Sequence, residues 1–139
     1  MEQHDKYGKS VLGQATDNAC ICCGDSVITS YGMSCAQIDG TVGRTIAVEI
    51  ESRTGKQVRG AVLDLLLHPY PKKLMILIPA HIGSHQVAEC EFLLSRFGIA
   101  AENFRVVLLD GRGGSPCLRI DAIRTRIALL ELGWKPLGA

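Results

Sequence analysis

Apolar residues follow two different periods along the chain, and the change between them marks the main elements. Over residues 45–51 the even-numbered positions are isoleucine or valine, an alternation that predicts a strand with one apolar face. Residues 55–67 instead repeat apolar residues every three or four positions, which predicts one buried helix face. The unbroken apolar run over 74–78 is typical of a strand covered on both sides. These patterns predict a β-α-β unit in the middle of the chain.

The flanking segments extend this unit on both sides. A weak amphipathic helix is predicted over residues 1–16, a helix over 84–98, and a third apolar strand over 104–109. A last helix, ended by Gly133, is predicted to bury one apolar stripe. The stripe consists of Ile120, Ile123, Ile127 and Leu130.

Polar residues in front of the helices predict where each helix begins. Thr54 and Gln57 have the spacing of a capping box, in which each side chain bonds the other's backbone N–H. Ser84 and Ser115 stand where N-caps belong, and Pro116 suits the first turn that follows.

The strand over residues 45–51 carries acidic as well as apolar side chains. Glu49 and Glu51 project from the same strand face, roughly 7 Å apart along the strand. A third acid, Asp39, precedes a turn at residues 43–44 that predicts an antiparallel hairpin and brings Asp39 near Glu49. One or two carboxylates, with water and phosphate oxygens, are the usual ligands of Mg²⁺. The hairpin therefore predicts a metal site.

This order of residues resembles the catalytic core of the PD-(D/E)xK, restriction-endonuclease-like nuclease superfamily. Carried over by position, Asp39 and Glu49 match the two acids that bind the metal. Glu51 stands where a lysine that activates water is usual, and we expect it to join the metal site. Gln57 matches a glutamine on the next helix, and Lys56 beside it is expected to orient the phosphate or replace the missing lysine.

The resemblance covers residues 37–79 well and the later elements more loosely. It implies a mixed β-sheet flanked by helices, with an αβββαβ core followed by a further αβα segment. It also implies an endonuclease that uses Mg²⁺ or Mn²⁺ to hydrolyse the phosphodiester bonds of DNA. Two residues depart from the pattern, since Ile38 stands where proline is common and Glu51 replaces lysine. Symmetric cutting of a duplex would require a homodimer.

Other interpretations of the same residues stay open. Glu49 and Glu51 would also suit a solvated strand face, on which they pair with Arg53 and Arg59. In the nuclease interpretation, Arg53 and Arg59 instead bind the DNA substrate. The glutamate at the lysine position favours a catalytically degenerate member of the fold that binds nucleic acid or a protein. A small nucleotide-binding domain using Gly111–Gly114 is a third interpretation. That segment lacks the spacing of a P-loop, so a tight turn is favoured there.

Four cysteines form a separate cluster. Cys20, Cys22, Cys23 and Cys35 have the order C-x-C-C…C. One pair has the spacing of zinc ligands, but a second pair is missing, so zinc ligation and buried thiols both stay open.

Composition narrows the class without naming a function. The 139 residues are 47% hydrophobic and 21% charged, which predicts one domain over residues 1–139 with a packed core. The net charge of +1 neither indicates nor excludes a nucleic-acid partner, although basic residues gather at 52–73. Without a membrane-length apolar run or an apolar leader, we expect no membrane segment, a cytoplasmic location and reduced cysteines.

Overall fold

A computed structural model describes residues 2–22 and 28–137. The elements are α1 (Glu2–Ala15), β1 (Cys20–Ile21), β2 (Ile28–Ser30), β3 (Cys35–Gln37), β4 (Gly40–Val42), β5 (Ile46–Glu51), α2 (Lys56–Leu67), β6 (Lys72–Leu77), α3 (Ser84–Arg96), β7 (Phe104–Leu108) and α4 (Leu118–Glu131). None of the described helices is long and apolar enough to cross a membrane.

The centre of the fold is a five-stranded mixed sheet in the order β1-β4-β5-β6-β7. The first three strands pair antiparallel, and β5, β6 and β7 run parallel. Helices α1 and α4 cover one face, while α2 and α3 cover the other, so the sheet separates two apolar cores. The strands β2 and β3 form a separate small hairpin. The predicted mixed α/β sheet flanked by helices is confirmed.

Strand β5 has the one apolar face that its alternation predicted, and its other face is buried as well. Ile46, Val48 and Ile50 enter the core beneath α1 and α4. The intervening positions point towards α2, so Glu49 and Glu51 enter the protein interior and are each only 6% exposed. The two acids therefore lie on a covered face of the sheet, so the predicted solvation of this face is wrong, whereas the predicted pairing with Arg53 forms at Glu51.

The hairpin between β4 and β5 forms where the turn signal placed it. Gly43 and Arg44 have φ angles of 64° and 61°, and the register pairs Val42 with Ile46, so residues 43–45 form a three-residue turn. The register pairs Gly40 with Val48, which brings the preceding Asp39 beside β5.

Two predicted helix starts are wrong by one residue. Helix α2 has Gly55 as its N-cap, with φ 62° and no capping side chain, so the box between Thr54 and Gln57 does not form. Gly83 rather than Ser84 precedes α3, and its N–H donates to Oε1 of Gln86 at 2.9 Å. At α2 the positive φ of Gly55 lets the chain enter the helix without a polar cap.

The start of α4 lies further from its prediction. Cys117 is the N-cap, because Ser115 is already used in backbone hydrogen bonds with Arg112 at 3.0 and 3.1 Å. The segment around Gly111–Gly114 is a tight turn packed on α1, where side chains at Gly111 and Gly113 would collide with Tyr7 and Gln3. Such close packing favours the turn over the nucleotide-binding interpretation.

Helix α4 also buries the opposite face from the one predicted. Its core side consists of Asp121, Ala122, Thr125, Ala128 and Leu129. The predicted stripe of Ile120, Ile123, Ile127 and Leu130 is 45–54% exposed instead. The small residues on the buried face allow α4 to pack closely on α1, and a polar network fixes the direction in which Asp121 points.

That network joins α1, the loop after β7 and α4 around one buried carboxylate. The Asp121 side chain is fully buried and accepts hydrogen bonds from the backbone N–H groups of Asp110 (2.7 Å) and Gly111 (2.9 Å). The Tyr7 hydroxyl donates to Asp121 at 2.5 Å and accepts from the N–H of Cys117 at 3.0 Å. Burial, helped by the hydrogen bond to Asp121, raises the pKa of Tyr7 to about 12.

Replacing Asp121 with alanine should be strongly destabilising. Two buried N–H groups and the Tyr7 hydroxyl would lose their acceptor, so we expect the free energy of unfolding to fall by on the order of 3 kcal/mol. Asp110→Ala is the matched control, because its half-exposed carboxylate pairs with Arg124 at the surface. This control should cost less than about 1 kcal/mol. Urea denaturation measures both, and equal losses would contradict the role given to Asp121.

Candidate acidic site

An open polar cleft of about 380 Å³ lies beside the β4–β5 hairpin, between β5 and the start of α2. Its polar lining consists of Asp5, Tyr31, Gln37, Asp39, Glu49, Glu51, Arg53, Gln57 and Asp64. Five of these side chains are carboxylates, so the cleft is a concentrated acidic site.

Asp39 and Glu49 are joined by reciprocal hydrogen bonds across the hairpin. The N–H of Asp39 donates to Oε1 of Glu49 at 2.8 Å, and the N–H of Ile50 donates to Oδ2 of Asp39 at 2.7 Å. Each carboxyl group is thus held against the strand that carries the other. The two carboxyl groups converge, as the hairpin predicted.

Burial and proximity make this pair retain a proton. Burial raises the pKa of Glu49 to about 10, and the nearby charge of Asp39 adds to the effect. The pKa of Asp39 is also raised by burial, while the hydrogen bond from Ile50 acts in the opposite direction. The pKa values of both groups are therefore raised, which favours retention of a proton by the pair.

Glu51 is held in a different way, although it lines the same cleft. Its Oε2 accepts hydrogen bonds from the backbone N–H groups of Ser52 (2.9 Å) and Arg53 (2.8 Å). The guanidinium of Arg53 adds a two-point contact, from Nε to Oε2 at 2.9 Å and from Nη2 to Oε1 at 3.0 Å. Charge and hydrogen bonding of Glu51 are therefore satisfied within the chain.

The residues predicted on α2 divide into two groups. Gln57 faces the cleft, where the missing capping box leaves its amide available. Lys56 and Arg59 are exposed and do not line the cleft. Arg53 lies in the cleft but is paired with Glu51, which raises the pKa of its guanidinium. Among the described residues that line the cleft, none is a lysine.

Of the three predicted metal ligands, Asp39 and Glu49 come together, while Glu51 is bound to Arg53. Within residues 2–22 and 28–137, no group of three or more His, Cys, Asp or Glu side chains is arranged to hold a metal ion. Two converging carboxylates do match the ligand number that Mg²⁺ takes from protein when water and phosphate supply the rest.

Several cleft residues were not predicted from the sequence. Asp64 lies seven positions after Gln57 and so shares its helix face, a spacing that would have identified it. The Tyr31 hydroxyl donates a hydrogen bond to Asp64. Burial, and to a smaller extent this hydrogen bond, raises the pKa of Tyr31 to about 12. Asp5 comes from α1, where it pairs with Lys9 at 3.3 Å. Its place in the cleft depends on how α1 crosses the sheet, which no local pattern encodes.

One member of the basic segment over residues 52–73 is structural. Lys73 is 3% exposed, and its Nζ donates to the carbonyl of His68 at 2.7 Å. Burial lowers its pKa to about 8. Lys73 therefore does not contribute to a surface for a phosphate backbone.

The cysteine cluster is described only in part. The Sγ atoms of Cys20 and Cys22 are 3.5 Å apart on β1 and the residue after it, and Cys35 is exposed on β3. Cys23 lies outside the described residues, so zinc ligation stays a hypothesis.

Comparison with known proteins adds no relative. No family model matches the chain, and no curated protein or solved structure matches it. The fold and the site together define a mixed α/β domain with a proton-sharing pair of carboxyl groups in an acidic cleft.

Glu49→Gln should make stability less dependent on pH. The folded Glu49 keeps its proton above the pH at which the unfolded side chain has lost it, so wild-type stability falls as pH rises from about 4.5 towards about 10. Glutamine does not titrate and retains an oxygen for the Asp39 N–H. The free energy of unfolding of the variant should exceed that of the wild type by on the order of 1–3 kcal/mol at pH 8. The difference should shrink towards pH 5.

Thermal melts in EDTA across this pH range measure the effect. Glu51→Gln is the matched control, because it weakens the contact with Arg53 and should be destabilising at pH 8. A gain for Glu49→Gln that does not change with pH would contradict the shared proton.

Proposed function

We propose that this protein is a Mg²⁺- or Mn²⁺-dependent endonuclease that hydrolyses phosphodiester bonds of DNA, built on the restriction-endonuclease-like αβββαβ core. The observation that carries the proposal is the convergence of Asp39 and Glu49 in a polar cleft. Two like charges at this depth disfavour each other's ionised form, and the pair compensates with a proton. A divalent cation would replace that proton and relieve the same repulsion.

The order of elements supports the same proposal. A helix is followed by antiparallel strands β4 and β5, then by helix α2 and the parallel strand β6. The converging acids come from the start of the hairpin and from the middle of β5, the positions that the resemblance implies. Strand β7 extends the sheet beyond this core, and helix α4 packs on one face of that sheet.

The donor set of the cleft suits a hard cation, since carboxylate oxygens are the ligands that Mg²⁺ and Mn²⁺ prefer. Asp39 and Glu49 would hold the ion. When bound, the ion supplies positive charge that polarises the scissile phosphate and lowers the pKa of a coordinated water.

The remaining roles fall to other cleft residues. The amide of Gln57, free of any capping role, is available to orient a phosphate oxygen or the attacking water. Glu51, which lines the same cleft, would be the group that accepts a proton from the attacking water. Exposed Lys56 and Arg59 lie on the first turns of α2, where they would contact the DNA backbone.

A catalytically degenerate binding module is the second candidate, and one observation favours it. Glu51 stands at the position of the usual lysine with its hydrogen bonds already satisfied by Arg53 and Ser52. The cleft, as far as the described residues line it, contains no lysine. A protein with this site that binds DNA without cutting it would be such a module.

Wild-type protein should nick or cut plasmid DNA with Mg²⁺ or Mn²⁺ and be inactive in EDTA. Asp39→Ala removes one of the two converging carboxylates, so cleavage should fall by at least about 100-fold. Glu102→Ala, an exposed acid in the turn before β7, should keep wild-type activity. Agarose-gel assays of the three proteins measure the effect.

Metal binding and DNA binding separate the two candidates. Mn²⁺ should raise the melting temperature of the wild type and of Glu102→Ala, but not of Asp39→Ala, because a ligand stabilises the state that binds it. Equal shifts in all three proteins would place the metal elsewhere. If the wild type retards DNA in a gel but cleaves no duplex, single strand or RNA, the binding module is correct.

A further inference from the structure

Helix α4 is apolar on two opposite sides. Residues Asp121, Ala122, Thr125, Ala128 and Leu129 form the buried side. Four large aliphatic residues, Ile120, Ile123, Ile127 and Leu130, lie on the opposite side of the helical wheel and are 54%, 52%, 52% and 45% exposed. We call these four residues the outer stripe. A helix with apolar residues on both sides is normally covered on both sides.

The outer stripe is as large as the apolar patches that are often functional on protein surfaces. At about half exposure, its side chains present roughly 400 Å² of apolar surface, within the range of the largest patches seen on monomeric proteins. Its residues follow a spacing of three, four and three. This is the a and d spacing with which one helix packs along another.

The neighbouring sheet edge is protected and does not compete for the same partner. Strand β7 is an outer strand of the five-stranded sheet. Its carbonyl groups at Phe104 and Leu108 accept hydrogen bonds from the guanidinium groups of Arg105 (2.7 Å) and Arg124 (2.8 Å). Arginine side chains that cover an edge in this way oppose the addition of another strand. The helix, not the strand, is therefore the docking element.

We propose that the outer stripe is the interface of a homodimer in which two α4 helices pack antiparallel about a two-fold axis at Ile127. Ile127 then faces its own copy, and Ile123 faces Leu130 of the second copy. A two-fold interface uses the same surface twice, so that surface must be self-complementary. The outer stripe meets this condition in both shape and charge.

The charge argument rests on two residues that flank the outer stripe on one side. Arg124 and Glu131 are seven positions apart, with Ile127 and Leu130 between them on the seam. In the antiparallel register, Arg124 lies opposite Glu131 of the second copy, and the contact occurs twice by symmetry. Within each copy Arg124 also pairs with Asp110 (2.9 Å) and Glu131 with Arg105 (3.3 Å), so each end of this flank carries both signs.

The other flank does not oppose the pairing. Arg126 is turned towards its own protomer, where it donates to the carbonyl of Ala15 at 2.9 Å and stacks on Trp134 at 5.1 Å. The two copies of Arg126 are thereby held back from the axis.

The buried area sets the expected strength of the dimer. Two outer stripes and the stems of the flanking arginines bury roughly 1,000 Å² in total, the lower limit for a specific interface. We expect a dimer with a Kd on the order of micromolar.

The interface leaves the acidic cleft open. Glu49 and Glu51 project from the sheet face covered by α2, whereas α4 covers the opposite face. Dimerisation therefore does not depend on the proposed nuclease activity. Loss of the dimer should leave Mn²⁺ binding unchanged, so the two proposals fail separately.

Sedimentation equilibrium and light scattering under reducing conditions test the interface. At about 100 µM the wild type should have twice the mass of the chain, and Ile127→Glu should be largely monomeric, with Kd raised at least ~1,000-fold. Phe92→Glu is the matched control, because Phe92 is 64% exposed on α3, across the sheet. This control should stay dimeric. Both substitutions are at exposed sites, so circular dichroism and melting should show intact folds.

A charge exchange tests the register. Arg124→Glu or Glu131→Arg alone should weaken the dimer about 10-fold, and the double variant should restore it. A wild type that is monomeric at 100 µM, or a dimer unaffected by Ile127→Glu, would overturn the proposal. Dissociation by Phe92→Glu would move the interface to the other side of the sheet. Failure of the double variant to recover would reject the antiparallel pairing.

Discussion

The reciprocal hydrogen bonds between Asp39 and Glu49 are the constraint on which the hairpin and its site depend. Each carboxyl group accepts a backbone N–H from the neighbourhood of the other, so the register of β4 on β5 and the placement of the two acids are set together. A shift by one residue would turn both glutamates towards the opposite core. The cleft therefore has its acidic character because the hairpin is in register. The raised pKa of Glu49 favours a proton on the pair, which would reduce the repulsion between the two acids.

Carboxylates are buried in this protein in two ways, and the difference separates structure from candidate chemistry. Asp121 receives hydrogen bonds from two N–H groups and from Tyr7, a complete set that ties α1, α4 and the loop after β7 together. Glu49 receives one N–H and faces another acid, so its pKa is raised by burial and by repulsion. A satisfied buried carboxylate supports the fold, whereas the unsatisfied pair that opens into a cleft is the feature on which the proposed cation site rests.

Helix α4 connects these features to the surface. Because Asp121 must point inward to reach the N–H groups of Asp110 and Gly111, the small residues beside it face α1 and the four large aliphatic residues face outward. The same polar network that closes the α1–α4 layer thus creates the outer stripe. The acidic cleft opens on the other side of the sheet, so a protein with this fold can assemble through one layer and act through the other.

The sequence itself determined the β4–β5 hairpin, the shared strand face of Glu49 and Glu51 and the parallel order of the later strands, because turn chemistry and a period of two are local properties. That this shared face is covered was decided by the tertiary structure. The helix starts at Gly55 and Cys117 and the pairing of Glu51 with Arg53 were decided by the tertiary structure. The core face of α4 belongs to this second group. Its two apolar sides have the same helical period, and the contacts of Asp121 with the preceding loop and with Tyr7 of α1 choose between them.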